Sequence, residues 1–141
     1  MQQVDIPTII ERSLAEQHGA TPKEMSETLM FLSALDKNKH TTVDRHGDTV
    51  FFTTPIKEDK NGYRVAAVKM YTLDKAVDIV KQVLTYLNKL KQRKIAVLKF
   101  STPDERLVPL FRAIGRSYPI EIRKAKSTGR FYGTINIQEP K

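Results

Sequence analysis

The sequence predicts one α/β domain over residues 1–141, in which two N-terminal helices, a long crossover helix and a C-terminal hairpin surround a central mixed sheet. Three observations support this prediction. The 141 residues are 40% hydrophobic, which suffices for one ordinary core but not for two. The spacing of apolar residues switches between the helical period and the alternation typical of strands. One long helical pattern separates two strand-like segments, and this order indicates a right-handed parallel crossover.

The N-terminal part of the chain predicts two helices. Thr8 and Glu11 have the spacing of a capping box, which places a short helix over about 8–17. Residues 21–24 repeat the start signal with proline at the first helical position, and an apolar stripe follows to about Asp36.

The middle of the chain predicts three consecutive antiparallel strands. The first two form a hairpin around a turn at 46–48, and Pro55 closes the second strand. Asn61 and Gly62 form a favoured turn dipeptide before a third strand over 63–71, in which apolar residues alternate.

The most regular helical pattern covers residues 74–93, where apolar residues recur every three or four positions. The short apolar run 94–100 follows, and as the second strand of a crossover it should lie parallel to 63–71. Residues 102–105 give a third capping signal, which starts a helix that should end at Gly115, with Pro109 kinking it or delaying its regular part. Two final strands, over 120–126 and 130–137, complete the predicted hairpin.

This order of elements resembles the GNAT acetyltransferase superfamily over nearly the whole chain, with the family's first strand reduced to about residues 3–6. The family pattern of a strand followed by N-x-x-A-I-x-L-Y-x-x-x-G-F is similar to a strand followed by Asp104, Leu107-Val108, Leu110-Phe111 and Ile114-Gly115. The resemblance implies a GNAT-like fold with acetyl-CoA in the wedge between the family's fourth and fifth strands. The positions that would then hold the cofactor are Met70, Tyr71, Thr72, Leu73, Lys75, Ser101 and Phe111.

Three departures from the family pattern predict a degenerate scaffold without catalytic residues. The family binds pyrophosphate with a loop of the form Q/R-x-x-G-x-G/A at a helix N-terminus, but the matching stretch, 70–76, has no glycine. It also contains Asp74, whose charge favours helix capping and opposes anion binding. The tyrosine that serves the family as general acid, protonating the departing thiolate, corresponds to Phe111, which has no transferable proton. The strand 63–71 supplies no glutamate as a base.

The positive charge is concentrated in the C-terminal part of the chain. Residues 1–56 contain five Lys and Arg against eight Asp and Glu, a net −3, whereas residues 57–141 contain nineteen against eight, a net +11. Such a field attracts polyanions, although a solvated lysine-rich surface explains it equally well. If one face collects these cations, the polyanion-binding residues are Lys91, Arg93, Lys94, Arg123, Lys124, Lys126 and Arg130.

Composition excludes several other functions. The chain has no cysteine and only three scattered histidines, so no metal site and no thiol chemistry are predicted. The apolar runs are too short for a membrane span and the N-terminus lacks a signal-peptide pattern, so we expect a cytoplasmic protein.

A narrower similarity bears on the function. Residues 111–137 resemble, weakly, the terminal segment of small GNAT-like proteins of tailed bacteriophages, such as the small internal virion protein of T7-like phages, and this implies a location in the host cytoplasm or the virion. The sequence therefore favours a non-enzymatic binding or assembly protein, needing no cofactor, that contacts protein or nucleic acid through its basic half. The alternative is an acetyl-CoA-dependent N-acetyltransferase with an atypical cofactor loop.

Overall fold

The computed structural model describes residues 4–18, 20–36, 40–102 and 108–138. The elements in chain order are α1 (Ile6–His18), α2 (Pro22–Asp36), β1 (Thr42–His46), β2 (Thr49–Glu58), β3 (Arg64–Thr72), α3 (Ala76–Gln92), β4 (Ile95–Thr102), α4 (Val108–Ile114), β5 (Ile120–Lys124) and β6 (Phe131–Asn136). The six strands form one sheet in the order β1-β2-β3-β4-β6-β5, in which only β3 and β4 are parallel. The predicted mixed sheet, crossover helix and terminal hairpin are confirmed.

Local side-chain hydrogen bonds fix the starts of the N-terminal helices. The Thr8 N–H donates to Asp5 Oδ1 at 2.8 Å, so Asp5 caps α1 and the predicted capping box of Thr8 and Glu11 is wrong. The short strand predicted over about 3–6 is wrong for its described residues, because Val4 and Asp5 are not in a strand and Ile6 is helical, and residues 1–3 lie outside the described residues. The second capping signal is confirmed, because the Glu24 N–H donates to Thr21 Oγ1 at the start of α2.

The second strand is longer than its sequence predicts. Pro55 does not close β2, which continues to Glu58 through a register shift between Pro55 and Lys57. The last residue of β2 that pairs with β1 is Thr53, so Pro55 lies where one edge of the strand is free. A proline is tolerated at such an edge because its missing N–H deprives no neighbouring strand of a hydrogen bond.

Two apolar cores lie on opposite faces of the sheet. The larger one packs α3 and α4 against the sheet through fully buried residues such as Leu87, Leu98 and Ile114. The smaller one packs α1 and α2 over β2 through Ile9, Leu32 and their neighbours. Each such buried aliphatic side chain contributes about 1.5–3 kcal/mol, so both faces stabilise the sheet.

The short helix α4 is described over Val108–Ile114, with Pro109 as the second of these residues. Residues 103–107 lie outside the described residues, and they include three of the four residues of the predicted capping signal at 102–105, whereas Thr102 is the last residue of β4. Whether Pro109 kinks the helix or delays its regular part therefore stays a prediction. None of the described helices combines the length and apolar character that crossing a bilayer requires.

Candidate active site: the cleft between β3 and β4

The parallel strands β3 and β4 pair at one end only. Their register runs from Arg64 opposite Ile95 to Ala67 opposite Lys99, and the rest of β3 has no strand partner on that side. The strands diverge beyond Ala67 and open a wedge that holds a cavity of about 580 Å³. This volume lies within the range of small-molecule and cofactor sites.

The cavity has an apolar interior and a polar mouth. Its interior walls come from the larger core, both from the sheet and from the helices packed on it. They include Phe51, Leu98 and Ile135 of the sheet and Val83 and Ile114 of the helices. Its polar lining consists of two cations, two phenols and three hydroxyls, namely Lys69, Arg130, Tyr71, Tyr86, Thr72, Ser101 and Thr102. Among the described residues, no carboxylate and no imidazole line it.

The structure brings together five of the seven residues predicted for a cofactor. Met70, Tyr71, Thr72, Ser101 and Phe111 line the cavity, whereas Leu73 and Lys75 do not. Ala76 lines it as well, at the position where the family pattern has glycine or alanine. The first N–H groups of α3 have no intrahelical partner, as in any helix, so the cavity reaches a helix N-terminus.

Asp74 does not cap α3, contrary to the sequence prediction. The residue at the N-cap is Lys75, which makes no side-chain capping bond. Asp74 Oδ2 instead accepts hydrogen bonds from the Asp48 N–H at 3.1 Å and from Thr49 Oγ1 at 2.7 Å. The carboxylate is therefore held through Oδ2 by the turn between β1 and β2.

Phe111 packs against Phe100, with ring centroids 4.4 Å apart. Phe100 lies flat over Gly133, where an added Cβ would be 1.9 Å from Phe100 Cζ. Gly133 is thus required for space, and the two rings form the wall of the cavity on the side of β6.

Two tyrosines are among the residues that line the cavity, and both phenols stay protonated at neutral pH. Burial raises the pKa of Tyr71, and it raises the pKa of Tyr86 still further. The hydroxyl of Tyr86 is hydrogen-bonded to that of Thr53 and its ring stacks on Phe51, whereas the ring of Tyr71 packs edge-on against Phe52 in the smaller core. Tyr118, another tyrosine that could replace the missing acid, donates to Asn88 Oδ1 outside the cavity.

The seven predicted polyanion-binding residues fall into two groups at opposite ends of β4. Lys91, Arg93 and Lys94 lie before the first residue of β4, whereas Arg123, Lys124, Lys126 and Arg130 lie near its last residue, Thr102, which pairs with β6. The eight residues of β4 separate the two groups by roughly 23 Å. That they bind a polyanion together stays a prediction.

Arg93 is also engaged within the fold. Its two terminal nitrogens donate to the two carboxylate oxygens of Asp44, each at 2.9 Å, and Asp44 is buried. Lys94 Nζ lies 5.6 Å from the ring of Tyr63. A bidentate pair of this kind fixes the end of α3 to β1, which accounts for Arg93 structurally.

Sequence analysis missed Lys69 and Leu14, which also line the cavity. Lys69 is the one charged residue in the apolar stretch 65–71. A single charge in an otherwise apolar strand could have identified it as a candidate site residue. Leu14 gave no such signal, because it reaches the cavity from α1 through tertiary packing. Among the described residues, no cluster of three or more His, Asp or Glu side chains could hold a metal ion.

No protein-family profile and no curated protein matches the sequence. Solved structures do match. An aminoglycoside N(6')acetyltransferase from Legionella pneumophila has 11% identity and a TM-score of 0.65, over 97% of this chain and 91% of that one. The ribosomal-protein-S18-alanine N-acetyltransferase from Escherichia coli has 12% identity and a TM-score of 0.57, over 98% and 93%.

A third protein, assigned to the GNAT family and coming from Desulfovibrio desulfuricans, has 11% identity and a TM-score of 0.59, over 96% of both chains. These similarities support an acetyltransferase scaffold and give no support to the viral resemblance. At such identities they establish architecture only: this chain has the GNAT acetyltransferase fold.

Proposed function

We propose that this protein is an acyl-CoA-dependent N-acyltransferase that binds acetyl-CoA in the cleft between β3 and β4. The observation that carries the proposal is the open cleft itself. Protein interiors are close-packed and seldom keep voids larger than a water molecule. An apolar cavity of about 580 Å³ between two diverging strands is therefore a feature that folding does not need and a ligand does.

The residues of the cleft fit the separate parts of this cofactor. The unpaired edge of β3 beyond Ala67 offers backbone groups to the amides of the pantetheine arm, in the manner of strand addition. The N-terminus of α3 at Ala76, with Lys75 beside it, offers N–H groups and a cation to the pyrophosphate. Asp74 keeps its negative charge beside this site, but its Oδ2 is hydrogen-bonded to the neighbouring turn and does not occupy the N–H groups of α3.

When bound, acetyl-CoA supplies a thioester whose carbonyl carbon can accept an amine. The residues of the chain orient the ligand and exclude water. The apolar walls keep water from the cleft, and the edge of β3 orients the ligand. Tyr71 is the candidate for donating a proton to the leaving sulfur, because the residue lines the cavity and its phenol stays protonated at neutral pH. Phe111 takes the place of the usual tyrosine and serves only as an apolar wall.

Calorimetric titration with acetyl-CoA tests the proposal, with two matched variants in the first turn of α3. Ala76→Glu places a carboxylate in the cleft, whereas Val77→Glu places one on the neighbouring residue, which is 76% exposed and does not line the cleft. Both changes favour the helix dipole equally. We expect micromolar binding by the wild type, at least about tenfold weaker binding by Ala76→Glu, and unchanged binding by Val77→Glu.

The competing proposal is a non-enzymatic binding or assembly protein of viral origin, which contacts protein or nucleic acid without a cofactor. The glycine-free stretch before α3 and Phe111 favour it. Absence of heat at millimolar acetyl-CoA would contradict the acyltransferase proposal and support this one. Arg123, Lys124, Lys126 and Arg130 would then be the residues to test for polyanion binding.

A further inference from the structure

Part of one face of the sheet carries none of the described helices. The α1 helix packs against β2 and β3 on this face, and the α3 and α4 helices pack on the opposite face, so no described helix covers the outer side of β4, β6 and β5. Directly paired residues share a face, and two rows of them cross this open side. The first row is Ser101, Tyr132 and Arg123, and the second is Lys99, Thr134 and Glu121.

This open face is basic and continuous with the mouth of the cleft. Lys99 and Arg123 are exposed on it, and Lys69 and Arg130 line the adjoining cavity. Arg130 Nη2 donates to Ser101 Oγ at 3.1 Å, which ties the cleft mouth to the first row. Among the described residues of the two rows and the cleft lining, the only carboxylate is that of Glu121.

The open face also has an aromatic centre. Tyr132 is 43% exposed and lies between Ser101 and Arg123, one strand from each. A ring in this position offers an apolar surface together with a hydroxyl. Arg123 is two strands from Ser101, a distance of roughly 10 Å. An amino acid is too short to reach from the cleft to Arg123, whereas an extended peptide of about three or four residues spans that distance.

We propose that the acceptor is an amine carried on an acidic peptide segment, which lies across the open face with its amine at the cleft mouth. This inference rests on the proposed acyltransferase function. The transfer forms one C–N bond and breaks one C–S bond, and the proton lost from the amine ends on the CoA thiol. Nucleic acid fits less well, because its base amines are conjugated with the rings and are poor nucleophiles.

The first test compares acceptors. Three peptides of equal length, each with a single lysine in a glutamate-rich, a serine-rich or an arginine-rich context, are incubated with the full chain and acetyl-CoA, and thiol release is measured. We expect kcat/KM for the acidic peptide to exceed that for the neutral one about tenfold and to fall with added salt. Equal or better transfer to the neutral or basic peptide would overturn the proposal.

The second test compares matched charge removals. The double variant Lys99→Gln with Arg123→Gln removes two charges from the open face. The control, Lys57→Gln with Lys60→Gln, removes two exposed charges from outside the open face: Lys57 pairs with Val65 at the far end of β3 from the cleft, and Lys60 lies between β2 and β3. We expect the first pair to raise KM for the acidic peptide about fivefold at unchanged kcat, and the control to leave both unchanged. Equal effects of both pairs would refute a role for this face.

Acetyl-CoA titration of the same variants separates the two proposals. If acetyl-CoA binds and the acidic peptide is not acylated, the acceptor proposal fails and the cofactor proposal stands. If acetyl-CoA does not bind, the open face is tested directly with the fluorescein-labelled acidic peptide and a single-stranded DNA oligonucleotide of equal charge. Tighter binding of the peptide, lost in the Lys99 and Arg123 variant, would support the face as an acidic-peptide site, and tighter binding of the DNA would overturn it.

Discussion

The buried hydroxyl pair of Thr53 and Tyr86 offers a quantitative test of how the strand β2 is fixed to α3. The two residues are 3% and 1% exposed, and their hydroxyls are hydrogen-bonded to each other. Tyr86→Phe removes one hydroxyl and leaves that of Thr53 buried without its partner. Such a group costs about 1–3 kcal/mol, and Thr53→Val should cost a similar amount by leaving the tyrosine hydroxyl unpaired.

The double variant should be more stable than the sum of the two single changes predicts. Replacing both partners by apolar groups of similar shape leaves no unpaired hydroxyl, so we expect a coupling free energy of about 1 kcal/mol or more in a double-mutant cycle. The stacking of residue 86 on Phe51, with centroids 4.0 Å apart, is retained in every variant. The assay is urea unfolding followed by circular dichroism.

The control is a hydroxyl pair near the surface. Thr41 and Thr54 have Oγ1 atoms 3.1 Å apart, and both residues are partly exposed. Water can replace the lost partner there, so Thr54→Val should change the free energy of unfolding by about 0.5 kcal/mol or less. Additive effects of Thr53→Val and Tyr86→Phe, or single effects no larger than that control, would refute the reasoning.

Two further predictions concern packing and pH. Gly133→Ala should lower the free energy of unfolding by about 1–3 kcal/mol, because its Cβ would overlap Phe100. Adding Phe100→Leu should recover part of this loss. An unchanged urea midpoint for Gly133→Ala would contradict the prediction. Burial, then the charge of Lys89, lowers the pKa of His46 below its ordinary 6.5, so the unfolded chain binds more protons. Stability should fall as pH drops below about 6.5, and His46→Gln should flatten that dependence.

The architecture was predictable because local signals and tertiary needs agree along most of the chain. The apolar period of α3 and the strand-like runs before and after it specify a parallel crossover with few alternatives. The errors occur where a neighbour outside the local window decides. Pro55 reads as a strand end but lies at a free edge, and Thr8 reads as a cap although Asp5 is the residue that accepts the bond.

The candidate site was predictable in outline and not in its chemistry. The positions that line the cleft followed from the resemblance in element order, since strand divergence places them there whatever their identity. The role of Asp74 could not be foreseen, because its partners, Asp48 and Thr49, are 25 or more residues away in the chain. The polyanion prediction summed charges along the sequence and could not place them in space. The cations at the end of α3 lie at one end of β4, and those of the β5–β6 hairpin lie near the other end.

The bonds of Asp74 make the segment before α3 and the turn between β1 and β2 a single mechanical unit. Gly47, in that turn, has φ of +60° and approaches Gln82 of α3 so closely that a Cβ would be 2.4 Å from Nε2. The segment before α3 is therefore already held in place by the fold. A ligand that binds at the N-terminus of α3 loses little affinity to the ordering of this segment. If the proposed ligand binds there, a substitution in the turn between β1 and β2, which does not line the cleft, changes the ligand affinity without touching the ligand.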